Sequence, residues 1–254
     1  MVAATAPRVL VLACGALARE LLAVFAANDL SNVTLECLPG EYHMRPERIV
    51  PALRQRLAAI GRFGDDEPGD PAAIFEEYDR ILIGYGDCGT GGQLDEFCAD
   101  YGLERLPGDH CYQFFAGHER FLELHDDEPG TFYLTDYLAK HFDLFVTKAL
   151  GLDRHPELAE MYFGNYRRLI YLRQTDDERI VTKAREAAEL LGLEFRMIDT
   201  GYGELEQSVV KVALDPVALD PVAPNPVAPN PVTRQLTPTQ PGDFRTGPHD
   251  QEPV

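Results

Sequence analysis

Arg80-Ile81-Leu82-Ile83-Gly84-Tyr85-Gly86-Asp87-Cys88-Gly89-Thr90-Gly91-Gly92 is the stretch whose reading decides the fold. A short apolar run bounded by glycine reads as a buried strand. Five glycines fall between positions 84 and 92. Such a turn lets backbone approach closely and exposes N–H groups. Helix formers follow from Gly92 to Tyr101, and Gly102 supplies the stop. The unit is strand, glycine turn, helix, with Cys88 in the turn.

The same unit recurs on either side. Arg8 to Gly15 reads as a first strand ending at Cys14, with helix formers from 16 to 28. Val33 to Leu38 is a second strand, followed by the loop Pro39 to Arg45. Pro46 opens a helix on which Ile49, Leu53, Leu57 and Ile60 repeat at helical spacing. Residues 64 to 71 read as an acidic loop and 71 to 78 as a short helix. Glu104 to Pro107 is a short fourth strand that turns through Gly108-Asp109-His110-Cys111.

Further on, Thr131 to Leu134, Arg168 to Arg173 and Glu194 to Ile198 read as strands. Thr135 caps a helix extending to about Leu150, Glu157 to Tyr166 is another helix, and an amphipathic helix carries Ile180, Ala184, Ala187, Ala188 and Leu191. A last helix runs from Glu204 to about Lys211. Strands alternating with helices imply an α/β fold of the Rossmann-like type: a mainly parallel sheet with helices on both faces. The α/β domain is expected over 1–212, built from two βαβ halves that meet near 125–135. From 213 to 254 four variants of Ala-Leu-Asp-Pro-Val and a polar remainder read as a disordered Pro-rich tail.

The 254 residues hold 23 basic and 42 acidic side chains, a net charge of −19. That surface repels phosphate backbones and anionic lipid, which argues against nucleic-acid and membrane partners. No run reaches the roughly 20 apolar residues of a membrane span, and the N-terminus lacks a signal-peptide pattern, so a cytoplasmic location is expected. Five cysteines do not suggest a disulfide framework.

In a parallel sheet, ligands bind outside the carboxyl ends of the strands. Cys14 ends the first strand, and His43, Cys88 and Cys111 lie in the loops after the second, third and fourth. Neighbouring strands lie about 4.8 Å apart, so these loops can converge. Three thiols and an imidazole are the ligand types of a zinc site, and three thiolates alone suit an iron–sulfur cluster with one open iron position. The separations lack any Cys-x-x-Cys pair, so only the fold could assemble them. Cys37 and Cys98 read as core. Gly84, Gly86 and Gly89 also satisfy G-x-G-x-x-G, which makes Gly86, Gly89 and Gly91 candidate cofactor-binding positions. That fingerprint belongs on a first strand, however, and here it sits on the third. Around the thiols, Arg45 is a candidate for holding a substrate carboxylate or sulfonate. Asp87 is a candidate base or an orienter of His43, and Tyr85 and Tyr112 are candidate donors.

Cys14-Gly15, His43-Met44-Arg45-Pro46-Glu47-Arg48-Ile49, Tyr85-Gly86-Asp87-Cys88-Gly89-Thr90-Gly91 and Leu106-Pro107-Gly108-Asp109-His110-Cys111-Tyr112 together resemble the domain-of-unknown-function family 1638 over about residues 8–210. The resemblance implies an association with corrinoid proteins and methyltransferases of bacteria and methanogens, and no defined activity. Three readings follow. The first is a zinc-dependent enzyme passing a methyl group to a small thiol substrate. The second is a metal- or cofactor-binding accessory protein of a methyltransferase system. The third is an iron–sulfur redox protein.

Overall fold

The structure, a computed structural model, describes residues 6–61 and 71–214. The acidic loop expected at 64–71 and the Pro-rich tail lie outside these residues, apart from Pro71, Ala213 and Leu214.

Strand β1, Val9–Cys14, has all six residues buried, as its unbroken apolar run requires. It pairs in parallel with β2, Val33–Leu38, on one side and with β3, Arg80–Gly84, on the other. Strand β4, Glu104–Arg105, completes a four-stranded sheet of order β2-β1-β3-β4. Ala13 of β1 stands opposite both Cys37 of β2 and Gly84 of β3. A Cβ on Gly84 would lie 2.5 Å from that of Ala13, so the two central strands end on a pair of residues with no room for a larger one.

Helix α1 (Ala18–Ala27) follows β1, and α2 (Ile49–Gly61) follows β2 after two 3-10 turns, Gly40–Met44 and Pro46–Arg48. Ile49, Leu53 and Leu57 are fully buried, as their spacing predicted. Helix α3 covers only Pro71–Ile74, shorter than expected. Helix α4, Gln93–Tyr101, begins after Gly92 and stops at Gly102 in the left-handed conformation. Cys98, on its inner face, is buried. Cys37 departs from expectation: it is exposed, and β2 is an edge strand with no fully buried residue.

After β4 come α5 (Cys111–Ala116) and α6 (His118–Asp127), and then a second sheet. Strands β5 (Thr131–Leu134), β6 (Arg168–Arg173) and β7 (Glu194–Asp199) are parallel, in the order β5-β6-β7. The strands thus form two parallel sheets. In β6, Ile170 and Leu172 join the core of the first sheet, while Leu169 and Tyr171 belong to a second core with Ile180, Ala184 and Ala188. Helix α9 (Glu178–Leu191) is capped by the Asp177 side chain and ended by left-handed Gly192. Helix α7 (Asp136–Lys140) receives the expected cap from Thr135 but stops at His141; a π-helical turn, Asp143–Lys148, replaces the rest of the expected helix. Helix α8 is Leu158–Phe163. Helix α10, Gly203–Leu214, runs past the expected boundary at 212: Ala213 is fully buried, and its carbonyl accepts from the Asn32 side chain at 2.9 Å.

The carboxyl ends of the two sheets approach one another. A Cβ on Gly40 would collide with the Tyr137 hydroxyl of α7, which would have to shift to make room. The His43 ring packs edge-on to Phe145, with centroids 6.4 Å apart.

Candidate functional site

The turn after β3 is held by one carboxylate. Asp87 Oδ1 accepts from the Gly92 amide at 2.8 Å and from Thr90 Oγ1 at 2.8 Å. Its Oδ2 accepts from the Gly89 and Gly91 amides, both at 3.2 Å. Burial alone would raise the pKa of Asp87. The bonds from Gly92, Thr90 and Gly91, with the nearby charge of Arg105, outweigh burial and hold it below the usual carboxylate range. This geometry needs a run of left-handed residues: Gly89, Gly91 and Gly92 have φ of 83°, 66° and 90°. Cys88 joins them at φ 49°, one of two non-glycine residues among the described ones with positive φ. A side chain in that region carries a steric cost, and such outliers concentrate at functional sites.

The turn also lies flat on the loop after β4. The Asp87 amide donates to Gly108 O at 3.0 Å and the Cys88 amide to Asp109 O at 2.7 Å. A Cβ on Gly86 would stand 2.8 Å from Gly108 O, which is why position 86 is glycine. Arg105 ties this loop down: it donates to Leu106 O at 2.8 Å and Gly108 O at 3.1 Å, and Asp95 Oδ2 takes a further bond at 3.0 Å. The candidate cofactor glycines therefore have structural work. The amides of Gly89 and Gly91, which a phosphate would need, already bond the chain's own carboxylate.

Cys14, Cys88 and Cys111 are brought together by these loops. Cys14 is buried; Cys88 and Cys111 are half-buried by exposed area. Burial raises the Cys14 thiol above its ordinary pKa. Cys88 is pushed up to about 12, first by burial and then by the charge Cys14 would carry. Cys111, the first residue of α5, is raised well above the usual thiol range by burial, then by Cys88 and Cys14. Each thiolate would thus repel the others, and all three are protonated near neutral pH. The Tyr85 hydroxyl is buried without a well-formed hydrogen bond, and its polar neighbour is the Cys14 thiol. Burial and that neighbour raise the phenol's pKa.

His43 lies within electrostatic reach of His110, the residue before Cys111. Burial first, and then the charge of His110, lower the His43 pKa. Burial lowers His110 as well, although the residue keeps exposed surface, and Asp109 and Asp87 offset part of that shift. Arg45 is exposed at the junction of the two 3-10 turns, and its guanidinium makes no hydrogen bond or ion pair among the described residues. Tyr112 stacks on Tyr133 at 5.5 Å between ring centroids, joining the two cores. The fold therefore gathers the three thiols with Tyr85; His43 comes within electrostatic reach of His110, the chain neighbour of Cys111. Among the described residues, no three His, Cys, Asp or Glu side chains stand in an arrangement that could hold a metal ion. Among the described residues, no helix is long and apolar enough to cross a membrane.

Sequence reading missed Glu20. This α1 residue is 3% exposed, and its electrostatic neighbours include Asp136, Tyr202 and Cys111. The signal was present: Leu17, Leu21 and Val24 are buried at helical spacing, and Glu20 interrupts that stripe.

The family model described as "Protein of unknown function (DUF1638)" matches residues 37–209. The chain belongs to this family. The match includes His43, Cys88 and Cys111, while Cys14 precedes it. No curated protein and no solved structure matches the chain.

Proposed function

We propose that the DUF1638 chain binds a soft metal ion, zinc, through Cys14, Cys88 and Cys111, and that this site presents a small thiol for methyl transfer. The observation that carries the reading is the meeting of three thiols, each of which makes ionisation of its neighbours harder, at the carboxyl ends of one parallel sheet, with Cys88 kept at positive φ where glycine is the natural choice. A cation that replaces three protons compensates the charge of the three thiolates it binds. The side chains do not surround one point as they stand, so binding involves rotation about their Cα–Cβ bonds and proton release. His43, beside His110, is the candidate fourth donor.

When bound, a zinc ion lowers the pKa of a thiol ligand and so supplies a thiolate near neutral pH. The chain's own groups do the rest. Tyr85 packs against Cys14 and fixes that end of the site. Asp87 shapes the turn that carries Cys88. Arg45, exposed and unpaired, is free to take an anionic group of the substrate. A corrinoid protein or another methyltransferase component is the partner this reading calls for as methyl donor.

Metal analysis of protein purified without oxygen tests the reading. One equivalent of zinc is expected, lost in Cys14→Ala, Cys88→Ala and Cys111→Ala. Metal content unchanged in all three variants refutes it. Brown protein absorbing in the visible would replace zinc by an iron–sulfur cluster on the same thiolates.

A further inference from the structure

Strand β7, Glu194–Asp199, ends its sheet: β6 pairs with it on one side, and among the described residues no strand pairs on the other. The Glu194 amide donates to Arg167 O at 3.1 Å and the Thr200 amide to Arg173 O at 3.0 Å, so the even-numbered residues turn their backbone groups toward β6. Alternation leaves the N–H and C=O groups of Phe195, Met197 and Asp199 on the outer edge. Such an edge is a template for another strand and is commonly blunted by charge, Lys above all. Here the charges on one face have opposite sign. Arg196 Nε donates to Glu194 Oε1 at 2.8 Å along the strand.

That pattern selects a partner. Two chains of net charge −19 repel, so a second copy needs a place where opposite charges meet. In an antiparallel pair of β7 strands, outward-facing residues oppose outward-facing ones. Odd positions therefore face odd positions, and the two-fold axis passes beside a residue rather than between two. An axis at Glu194, Arg196 or Asp199 opposes two like charges, and one at Met197 or Ile198 forms no ion pair. An axis at Phe195 sets Glu194 opposite Arg196 of the second copy, and does so twice. These are non-hydrogen-bonded positions, where opposed side chains come closest. With the bond inside each strand they close a square of alternating sign. On the other face Phe195 meets its copy, and the exposed Met197 meets Leu193 of the second chain. The cost is Arg185, stacked on the Phe195 ring at 4.4 Å, whose charge approaches its own copy.

We propose that β7 pairs antiparallel with β7 of a second copy about an axis at Phe195, joining two three-stranded sheets into one. The other edges fit less well. Strand β2 has one charged residue, Glu36, which Arg56 already holds; β5 has none and is mostly buried; β4 is two residues long. The inference does not rest on the metal reading.

Sedimentation of the full chain, with reductant and a chelator present, tests it. A concentration-dependent dimer is expected below roughly 0.1 mM. Glu194→Arg and Arg196→Glu should each weaken it about tenfold or more, since each opposes like charges twice across the axis. The double variant Glu194→Arg/Arg196→Glu restores opposite charges and should dimerise within about threefold of wild type. The two side chains are 61% and 50% exposed, so the variants should keep the fold, and thermal melts of dilute protein check that. Hydrogen exchange gives a second reading. The Phe195 and Met197 amides should slow as concentration rises, while the Thr200 amide, bonded to Arg173, does not change. A monomer at that concentration, a dimer indifferent to both charge reversals, a double variant no better than the single ones, or Phe195 and Met197 amides equally protected at every concentration would overturn the proposal.

Discussion

Replacing Asp87 tests how the glycine turn is held. Its two oxygens take four donors: the amides of Gly89, Gly91 and Gly92 and the hydroxyl of Thr90. Hydrogen bonds to a charged group contribute about 1.5–3 kcal/mol each, but this turn is partly exposed and water can replace some of them. About 3 kcal/mol is therefore the expected loss in Asp87→Ala, read from urea denaturation with an unchanged m-value. Asp87→Asn keeps one acceptor oxygen and should lose about half as much. The pH dependence gives an independent check. The folded-state pKa lies below the unfolded one, near 3.9, so the contribution is fully present above about pH 4. It is lost as pH falls through the folded value. Wild type should therefore lose more stability than Asp87→Asn between pH 5 and about pH 3. Variants within about 0.5 kcal/mol of wild type, or parallel pH profiles for wild type and Asp87→Asn, would refute the reasoning.

Two further substitutions address the residues around it. Cys88→Gly places at φ 49° the residue best suited to it, so thermal melts should show a gain of up to about 1 kcal/mol; a clear loss would mean the side chain is there for stability rather than for its thiol. Gly84→Ala puts a methyl 2.5 Å from the Ala13 Cβ, and overpacking of this kind should cost about 1–3 kcal/mol in denaturant titrations.

The parts of the fold that were legible in the sequence are those fixed by local chemistry. The all-apolar run of β1, the stop at Gly102 and the Thr135 cap each depend on a few adjacent residues, and each stands where it was expected. What was not legible depends on distant partners. Cys37 lies in a strand-like run, but that run cannot show that β2 is the edge of its sheet. The division into two sheets rests on which strands pair, β5 with β6 and β6 with β7, and no single stretch of sequence carries that choice. Of the candidate site residues, the thiols came together because parallel strands send their following loops to one edge. Asp87 read as a possible base and the glycines as possible ligand contacts. Which of them serve each other is settled by the backbone conformation, which composition does not encode. Glu20 read simply as one of the helix formers of 16–28. Two of its electrostatic neighbours, Asp136 and Tyr202, lie more than a hundred positions away.

The Ala13–Gly84 pair also governs the site above it. Cys14 follows Ala13 directly, and Cys88 sits four residues beyond Gly84. With almost no side chain between them, the ends of β1 and β3 act as a spacer one methyl thick beneath the thiol loops. The gap between two sulfurs is thus gauged by a residue that carries no reactive group. Any relative that thickens this spacer should show altered behaviour at its cysteines while keeping every one of them.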